Sequence, residues 1–250
     1  MRLGKTLIVT LFVLVIPVFL ITSNVRWVIA APFLYSYGFD RYDIPERTGI
    51  ERSELLSAAG QIREYFDNGE EFLDVRVTQN GITRSLYNER EILHMKDVKT
   101  LVRGVYLIHV SSAAFIGAFI LIGLWFLRRQ FIPYLARFAA LGGVLSVFLV
   151  GLVGVVALAG FDQLFLQFHL ISFSNDLWIL DPNSDYLLMM FPEGFFFDAT
   201  MWIAGSTVVE GIILAMLPLL LRWFSGRRQS MGLSELVHTS EPSPEVSPHK

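Results

Sequence analysis

Four long apolar runs divide this sequence into membrane-like and polar parts. They cover approximately residues 6–22, 104–127, 138–159 and 199–221. Each run has about 17–25 residues, the length that an α-helix needs to cross a hydrocarbon core of about 30 Å. The pattern therefore predicts a membrane α-helical protein with four transmembrane helices, the first within residues 1–22.

The polar segment between the first two runs, residues 23–103, predicts a small α+β domain. Apolar residues within 51–70 recur at helical spacing, whereas residues 72–88 alternate and contain an Asn-Gly pair that is typical of a hairpin turn. Asn88 followed by Glu91 resembles a capping box and predicts the start of another helix. This helix is expected to run into the second apolar run.

Residues 104–221 are predicted to form the membrane domain, with an interfacial segment at 160–198. That segment contains ten aromatic residues, which is typical of the boundary between bilayer and water. The last part of the chain, 222–250, ends in "SEPSPEVSPHK" and predicts a disordered cytoplasmic tail.

The distribution of basic residues predicts the orientation of the chain. Basic side chains flank the first run, the connection between the second and third runs, and the end of the fourth: Arg2, Lys5, Arg128, Arg129, Arg137, Arg222, Arg227 and Arg228. Positive charge beside short segments indicates the cytoplasm, so both termini are expected inside. Residues 160–198 hold six acids and no Lys or Arg, which supports the same topology. We expect the first run to stay as an anchor, although cleavage as a signal peptide is an open alternative.

Composition removes several classes of function. The chain has no cysteine, so disulfides, thiolate metal sites and thiol nucleophiles are excluded. Its formal net charge of −3 argues neither for nor against a nucleic-acid partner, but the chain lacks a basic stretch interleaved with aromatic residues, so none is expected. The mean hydropathy of +0.51 agrees with a membrane protein.

Two histidines from separate segments are predicted at one depth, the outer membrane interface. His94 lies on the helix that enters the second run, and His169 lies in the aromatic segment beside Asn175 and Asp176. Titratable side chains in apolar surroundings are costly unless they are used or satisfied, so the pair suggests a site. A third histidine, His109, lies within the second run, where the simpler interpretation is an interhelical hydrogen bond.

Spacing identifies candidate orienting groups for the two rings. Glu91 and Asp97 are each three residues from His94, a distance at which helical neighbours can touch, so either could hold one ring nitrogen; the alternative is that both face water. Asp162 and Asp176 are each seven residues from His169, which on a continuous helix is about 10 Å of axial rise and too far for a direct bond. His169 is therefore expected to need a partner from elsewhere, or a break in the helix near Asn175.

Two stretches resemble the signatures of a known family. "SLYNEREILHMKDVK" (85–99) and "FHLISFSNDLWILDP" (168–182), together with the four runs and the intervening domain, are similar to the lipoprotein intramolecular transacylase (Lit) family of bacterial membrane proteins. The resemblance implies transfer of the sn-2 acyl chain of a diacylglyceryl lipoprotein to the α-amino group of its lipid-bearing cysteine. Its partners would be diacylglyceryl-modified lipoproteins and membrane lipid, with the active site at the outer leaflet.

The resemblance implies that His94 and His169 are the catalytic residues. Histidine titrates near neutrality and can perform either proton step of ester-to-amine transfer, without a cofactor or metal. Which histidine is base and which is acid stays open. We add Arg90, Phe168 and Trp178, from the same two stretches, as candidate substrate-binding residues.

Three other interpretations stay open. A hydrolase would use Ser172 or Ser174 as nucleophile, although no G-x-S-x-G elbow supports it. A metal site built from the histidines and Asp162 or Asp176 matches no familiar ligand spacing. A non-catalytic membrane sensor or scaffold needs no pair of histidines at one depth.

Overall fold

The computed structural model describes residues 2–79 and 81–239, and this part of the chain is mostly helical. Its elements are α1 (Arg2–Ala30), α2 (Pro32–Arg41), α3 (Ile44–Thr48), α4 (Arg52–Asp67), β1 (Arg76–Gln79), β2 (Ile82–Ser85), α5 (Glu89–Leu127), a 3-10 turn (Arg128–Phe131), α6 (Ile132–Ser172), α7 (Tyr186–Met190) and α8 (Glu193–Thr239).

Three stretches are long and apolar enough to cross a membrane. They are Gly4–Ala30, Glu89–Ser172 and Glu193–Trp223. The middle stretch contains both α5 and α6, and the chain reverses between them at the 3-10 turn, where the Phe131 ring contacts that of Phe119 on α5 at 5.7 Å. Residues 89–103 of α5 carry seven charged side chains, so the apolar part of this helix begins only near residue 104.

Small residues allow the long helices to approach closely. A Cβ atom on Gly211 of α8 would lie 2.8 Å from the carbonyl oxygen of Gly143 on α6, so only glycine fits there. Phe12, Ile16 and Leu20 of α1 pack with Ala139 of α6 in a buried cluster between the long helices. This packing fixes α1, α6 and α8 against one another.

The segment between α1 and α5 packs into a hydrophobic core that it shares with the ends of α1 and α5, with α7 and with the start of α8. Helix α4 buries one face, and β1 pairs with β2 as an antiparallel hairpin with Arg76 opposite Ser85 and Gln79 opposite Ile82. Val75 and Val77 are both buried, which confirms the alternation. In the predicted turn, Gly81 has φ of +76°, a conformation that favours glycine, and Asn80 lies outside the described residues.

Helix boundaries differ from the predicted domain limits at three points. Helix α1 continues to Ala30, beyond the predicted end of the first span at residue 22. Helix α6 continues past Gly160, where the backbone is non-helical, and includes the first third of the predicted interfacial segment. Helix α8 extends to Thr239, into the predicted tail, of which 240–250 lie outside the described residues. The disorder of the tail stays a prediction.

Candidate active site

A capping box fixes the start of α5 and so positions His94. Asn88 Oδ1 accepts a hydrogen bond from the Glu91 backbone N–H at 3.1 Å, and Glu91 Oε2 accepts one from the Asn88 N–H at 2.8 Å. The predicted capping box is therefore confirmed. The other Glu91 oxygen accepts a hydrogen bond from the Leu187 N–H at 2.6 Å, which connects α7 to the first turn of α5. His94 follows one turn later and is buried.

The last turn of α6 fixes the tautomer of His169. Its Nδ1 lies 2.8 Å from the carbonyl oxygen of Phe165, four residues earlier. Because a carbonyl oxygen only accepts, Nδ1 carries the hydrogen, and Nε2 of the neutral ring keeps its lone pair. Helix α6 ends just beyond, where the Phe173 N–H donates to the His169 carbonyl at 2.9 Å.

The fold brings the two histidines together. Their ring centroids are 6.3 Å apart and the ring planes differ by 29°. Phe173 lies against both, at 5.1 Å from His94 and 5.7 Å from His169. Trp178 lies 5.0 Å from His169, and Phe165 lies 4.5 Å from it. The expectation that these segments meet is confirmed, and aromatic rings lie around a buried His94 and a half-buried His169.

Burial keeps His94 neutral. The ring is 7% exposed, and its Nδ1 is one of two buried side-chain polar atoms without a hydrogen-bond partner in the described part of the chain. Burial, with a smaller contribution from the nearby His169, lowers the pKa of His94 to about 4, and Asp97 acts in the opposite direction. The neutral imidazole therefore keeps one nitrogen whose hydrogen-bonding capacity the described residues do not use.

The acidic groups predicted to orient His94 have other partners. Glu91 is 1% exposed and its carboxylate binds backbone N–H groups, so its role is to fix the helix start. Asp97 Oδ2 accepts from Asn175 Nδ2 at 2.9 Å. Among the described contacts, neither carboxylate has a hydrogen bond with His94, so neither holds a ring nitrogen there.

Polar residues predicted to orient the rings instead stabilise the loop that follows α6. Asn175 joins the loop to Asp97 of α5, and its Oδ1 accepts from the Leu177 N–H at 3.0 Å. The guanidinium of Arg90 donates to the backbone carbonyl of Asp176, so Asp176 contributes its main chain and not its carboxylate. These contacts hold Trp178 against His169 and thereby close one side of the site.

The candidate substrate-binding residues lie around the ring pair. Phe168 is exposed, with its ring 5.3 Å from that of His169. Trp178 is half-buried and Arg90 is exposed. Sequence reasoning missed the carbonyl of Phe165 as the partner of His169. The spacing of four residues within one helix was the available signal, but the expected partners were all side chains.

The groups invoked by the alternatives are placed differently. Across residues 2–79 and 81–239, neither Ser172 nor Ser174 has a hydrogen bond with either imidazole. Asp162 pairs with its neighbour Gln163, at 3.3 Å. In this same part of the chain, no group of three or more His, Asp or Glu residues has an arrangement that would hold a metal ion.

Comparison with known proteins relates this geometry to a family. Residues 10–196 match the family model described as lipoprotein intramolecular transacylase Lit. A protein of Aquifex aeolicus (strain VF5), described as uncharacterized, is 26% identical over 214 residues, which are 84% of this chain and 92% of that protein.

Solved structures share the fold. The membrane integral lipoprotein intramolecular transacylase Lit from Bacillus cereus superposes with a TM-score of 0.73 at 19% identity, covering 92% of this chain and all of that one. A variant of that protein with one histidine replaced by arginine gives a TM-score of 0.70 at 19% identity, covering 91% of this chain and 95% of that one. At this level of identity, the likeness indicates a common arrangement of helices.

Proposed function

Since this chain belongs to the lipoprotein intramolecular transacylase Lit family, we propose that it moves the sn-2 acyl chain of a diacylglyceryl cysteine onto the α-amino group of that cysteine. The product is a lyso-form lipoprotein with an amide-linked acyl chain. Family membership supports acyl transfer on lipoproteins in general, and the site supports the specific O-to-N transfer. The observation that carries the proposal is the pair of His94 and His169 rings, 6.3 Å apart.

We propose that the chain crosses the membrane four times, with both termini in the cytoplasm. The reversal between α5 and α6 supports two crossings within the Glu89–Ser172 stretch, and the basic residues at the turn support a cytoplasmic position for it. The segment between α1 and α5 is then an extracytoplasmic α+β domain. The ring pair is at the opposite end of α5 and α6 from that turn, at the outer leaflet, where lipoprotein acyl chains lie.

The reaction forms one C–N bond and breaks one C–O bond. The neutral α-amine attacks the ester carbonyl carbon and gives a tetrahedral oxyanion. The nitrogen loses a proton, the glyceryl oxygen leaves and gains one, and no other co-reactant is needed. Because amine and ester belong to the same modified residue, the substrate supplies both reactants close together, and the protein needs no nucleophile of its own.

His169 is proposed to carry the proton. Its Nδ1–H is held by the Phe165 carbonyl, so Nε2 is the basic atom that accepts the proton from the attacking amine. The resulting imidazolium then donates the same proton to the departing glyceryl oxygen. The Phe165 carbonyl acceptor stabilises the positive charge in the interval.

His94 is proposed to act as a neutral hydrogen-bond donor to the oxyanion. Burial lowers its pKa to about 4, so the ring stays neutral while His169 exchanges its proton. The arrangement resembles electrophilic catalysis by a neutral imidazole in other enzymes. Phe168 and Trp178 are proposed to contact the acyl chains, and Arg90 to contact the polar part of the substrate.

The product distinguishes transfer from hydrolysis. We expect a diacylglyceryl lipopeptide with a free α-amine to keep its mass, since an intramolecular transfer only relocates an acyl chain. The α-amine becomes an amide and stops reacting with amine reagents. Mass spectrometry before and after reaction, with fragmentation to locate the chains, measures both changes, and His169→Ala provides the inactive control.

A serine-dependent hydrolase predicts a different product. One fatty acid would be lost and the amine would stay free. Ser172→Ala and Ser174→Ala are expected to retain most of the turnover, and complete inactivation by either would favour the hydrolase. A protein that leaves the lipopeptide unchanged under conditions in which it is folded would favour the sensor or scaffold.

A further inference from the structure

A second polar site lies at the outer end of α1, away from the histidines. A cleft of about 270 Å³ is bordered by Ile29 and Ala30 of α1, by one face of α4, and by Tyr106 of α5. Tyr106 follows His94 by twelve residues on the same helix, which is about 18 Å of axial rise. The cleft is therefore separate from the proposed active site.

Both signs of charge occur in this cleft. Arg63, Glu64 and Asp67 line it from α4. Arg26 does not border the cleft itself, but its guanidinium lies 4.8 Å from the centre of the Tyr106 ring, which does. The cleft and its margin therefore provide two cationic and two anionic groups, so a ligand with one charge of each sign would find a partner for both.

Arg63 has donors that the protein does not use. Its Nη1 donates to the Ala30 carbonyl at 3.2 Å, and its Nε is buried without a hydrogen-bond partner among the described residues. Asp67 is exposed and makes no ion pair within the described part of the chain. The guanidinium also lies 5.8 Å from the centre of the Tyr35 ring, so it is held at the cleft by two contacts and is already oriented for a phosphate.

An apolar cleft continues on the other side of Arg63. It has a volume of about 300 Å³, and Pro32, Phe33 and Leu56 are among the residues that border it. The Phe33 ring contacts Trp27 at 6.1 Å and Trp202 at 5.4 Å, and all three rings are 43–48% exposed. Exposed aromatic clusters of this kind mark the boundary between headgroups and acyl chains.

We propose that the paired clefts bind one phospholipid with a zwitterionic, primary-amine headgroup of the phosphoethanolamine type. Its phosphodiester lies between Arg63 and Arg26, its ammonium lies at Asp67 and Glu64, and the start of its acyl chains lies along the apolar cleft. The lipid is a bound membrane component and not the acyl donor, because the site is remote from His94.

The purified full-length chain tests this assignment in detergent by native mass spectrometry. The protein is titrated separately with dioleoyl phosphatidylethanolamine, phosphatidylglycerol and phosphatidylcholine, and retained lipid is measured. We expect phosphatidylethanolamine to be retained best, because phosphatidylglycerol lacks the ammonium and phosphatidylcholine has no N–H donors. Equal retention of the three lipids would overturn the proposal.

Two variants test the contact with the phosphate and the contact with the ammonium separately. Arg63→Gln is expected to weaken phosphatidylethanolamine and phosphatidylglycerol alike, by about tenfold for one charge-assisted hydrogen bond. Asp67→Asn is expected to weaken phosphatidylethanolamine alone. The matched control is Arg52→Gln, since Arg52 lies on the same helix but pairs with Asp40 at the exposed surface.

The remaining outcomes also decide the assignment. Arg63→Gln removes the hydrogen bond to the Ala30 carbonyl and could therefore prevent folding. In that case Asp67→Asn decides the question. Asp67 makes no hydrogen bond within the described residues, so its replacement removes no contact that the fold needs. Wild-type retention of phosphatidylethanolamine by Asp67→Asn would overturn the proposal. Displacement of the lipid by millimolar inorganic phosphate would also overturn it, since it would indicate a site for a free anion.

Discussion

Two histidines on one helix, His94 and His109, have opposite surroundings. His109 Nδ1 lies 3.3 Å from the Ser23 hydroxyl, and its ring stacks on Phe19 at 5.3 Å. His94 Nδ1 is buried with no partner in the described part of the chain, and its ring faces another histidine. A histidine whose nitrogen has a hydrogen-bond partner on another helix is explained by the packing, whereas a buried histidine nitrogen without a partner calls for another explanation, which the proposed function supplies.

The polar groups near His109 form a structural cluster between helices. Asn24 Nδ2 donates to Glu210 Oε2 at 2.8 Å and lies 3.1 Å from the Thr207 hydroxyl, which connects α1 to α8. Ser23, the preceding residue, connects α1 to α5 through His109. Polar contacts of this kind replace water for groups that the bilayer would otherwise leave unpaired. The predictions below test whether the two regions differ in the way these contacts indicate.

The largest effect is expected from removing either member of the ring pair. His169→Ala and His94→Ala should each lower the transacylation rate by about 10²–10⁴-fold, the usual contribution of a group that transfers a proton or stabilises the oxyanion. Turnover of a diacylglyceryl lipopeptide measures the loss, and gel filtration with thermal unfolding verifies the fold. Near-normal turnover in both variants would place His94 in the same structural class as His109.

Glu91→Gln is expected to be the most destabilising conservative change near the site. The buried carboxylate accepts hydrogen bonds from two backbone N–H groups, and an amide offers only one oxygen, so the cost is about 1–3 kcal/mol. Thermal unfolding of the purified protein measures it. The exposed neighbour provides the control, and Glu89→Gln should cost less than about 1 kcal/mol. Equal unfolding temperatures for the two variants would contradict the structural role of Glu91.

The lowered pKa of His94 predicts a pH dependence of stability. Below about pH 6.5, the ordinary pKa of histidine, the unfolded chain gains a proton that the folded chain does not accept until about pH 4. Stability is therefore lost as the pH falls from about 6.5 towards 4. Thermal unfolding at several pH values, for the native protein and His94→Phe, measures this contribution. We expect the native protein to lose more, and parallel curves would show that His94 does not contribute.

The smallest effect is expected from the interhelical histidine. His109→Ala removes one hydrogen bond and one ring contact between α1 and α5, which costs roughly 0.6–1.7 kcal/mol inside a membrane protein. Turnover should stay within about twofold of the native value, because the ring is about 22 Å along α5 from His94. A loss of activity as large as that of His94→Ala would remove the distinction between the two regions.

The elements of the fold that the sequence predicts well are those set by local chemistry. The Asn88 and Glu91 capping box, the helical face of residues 51–70 and the alternation of Val75 and Val77 each follow from neighbours a few residues apart. The apolar runs likewise indicate helices long enough to cross a membrane. In each case, the period of the pattern and the hydrogen bonds of one turn are sufficient.

The partners of the site residues were decided by the tertiary structure. From spacing alone, Glu91 and Asp97 are equally able to reach His94, yet Glu91 binds the Leu187 N–H and Asp97 binds Asn175. Both partners lie more than 75 residues away along the chain, so local periodicity contains no information about them. The sequence by itself determined which residue types lie at the ends of the apolar runs. Only the packing of α5 against the end of α6 decided that His94 is left unpaired beside His169, because hydrogen bonds between distant segments form only when the fold brings them together.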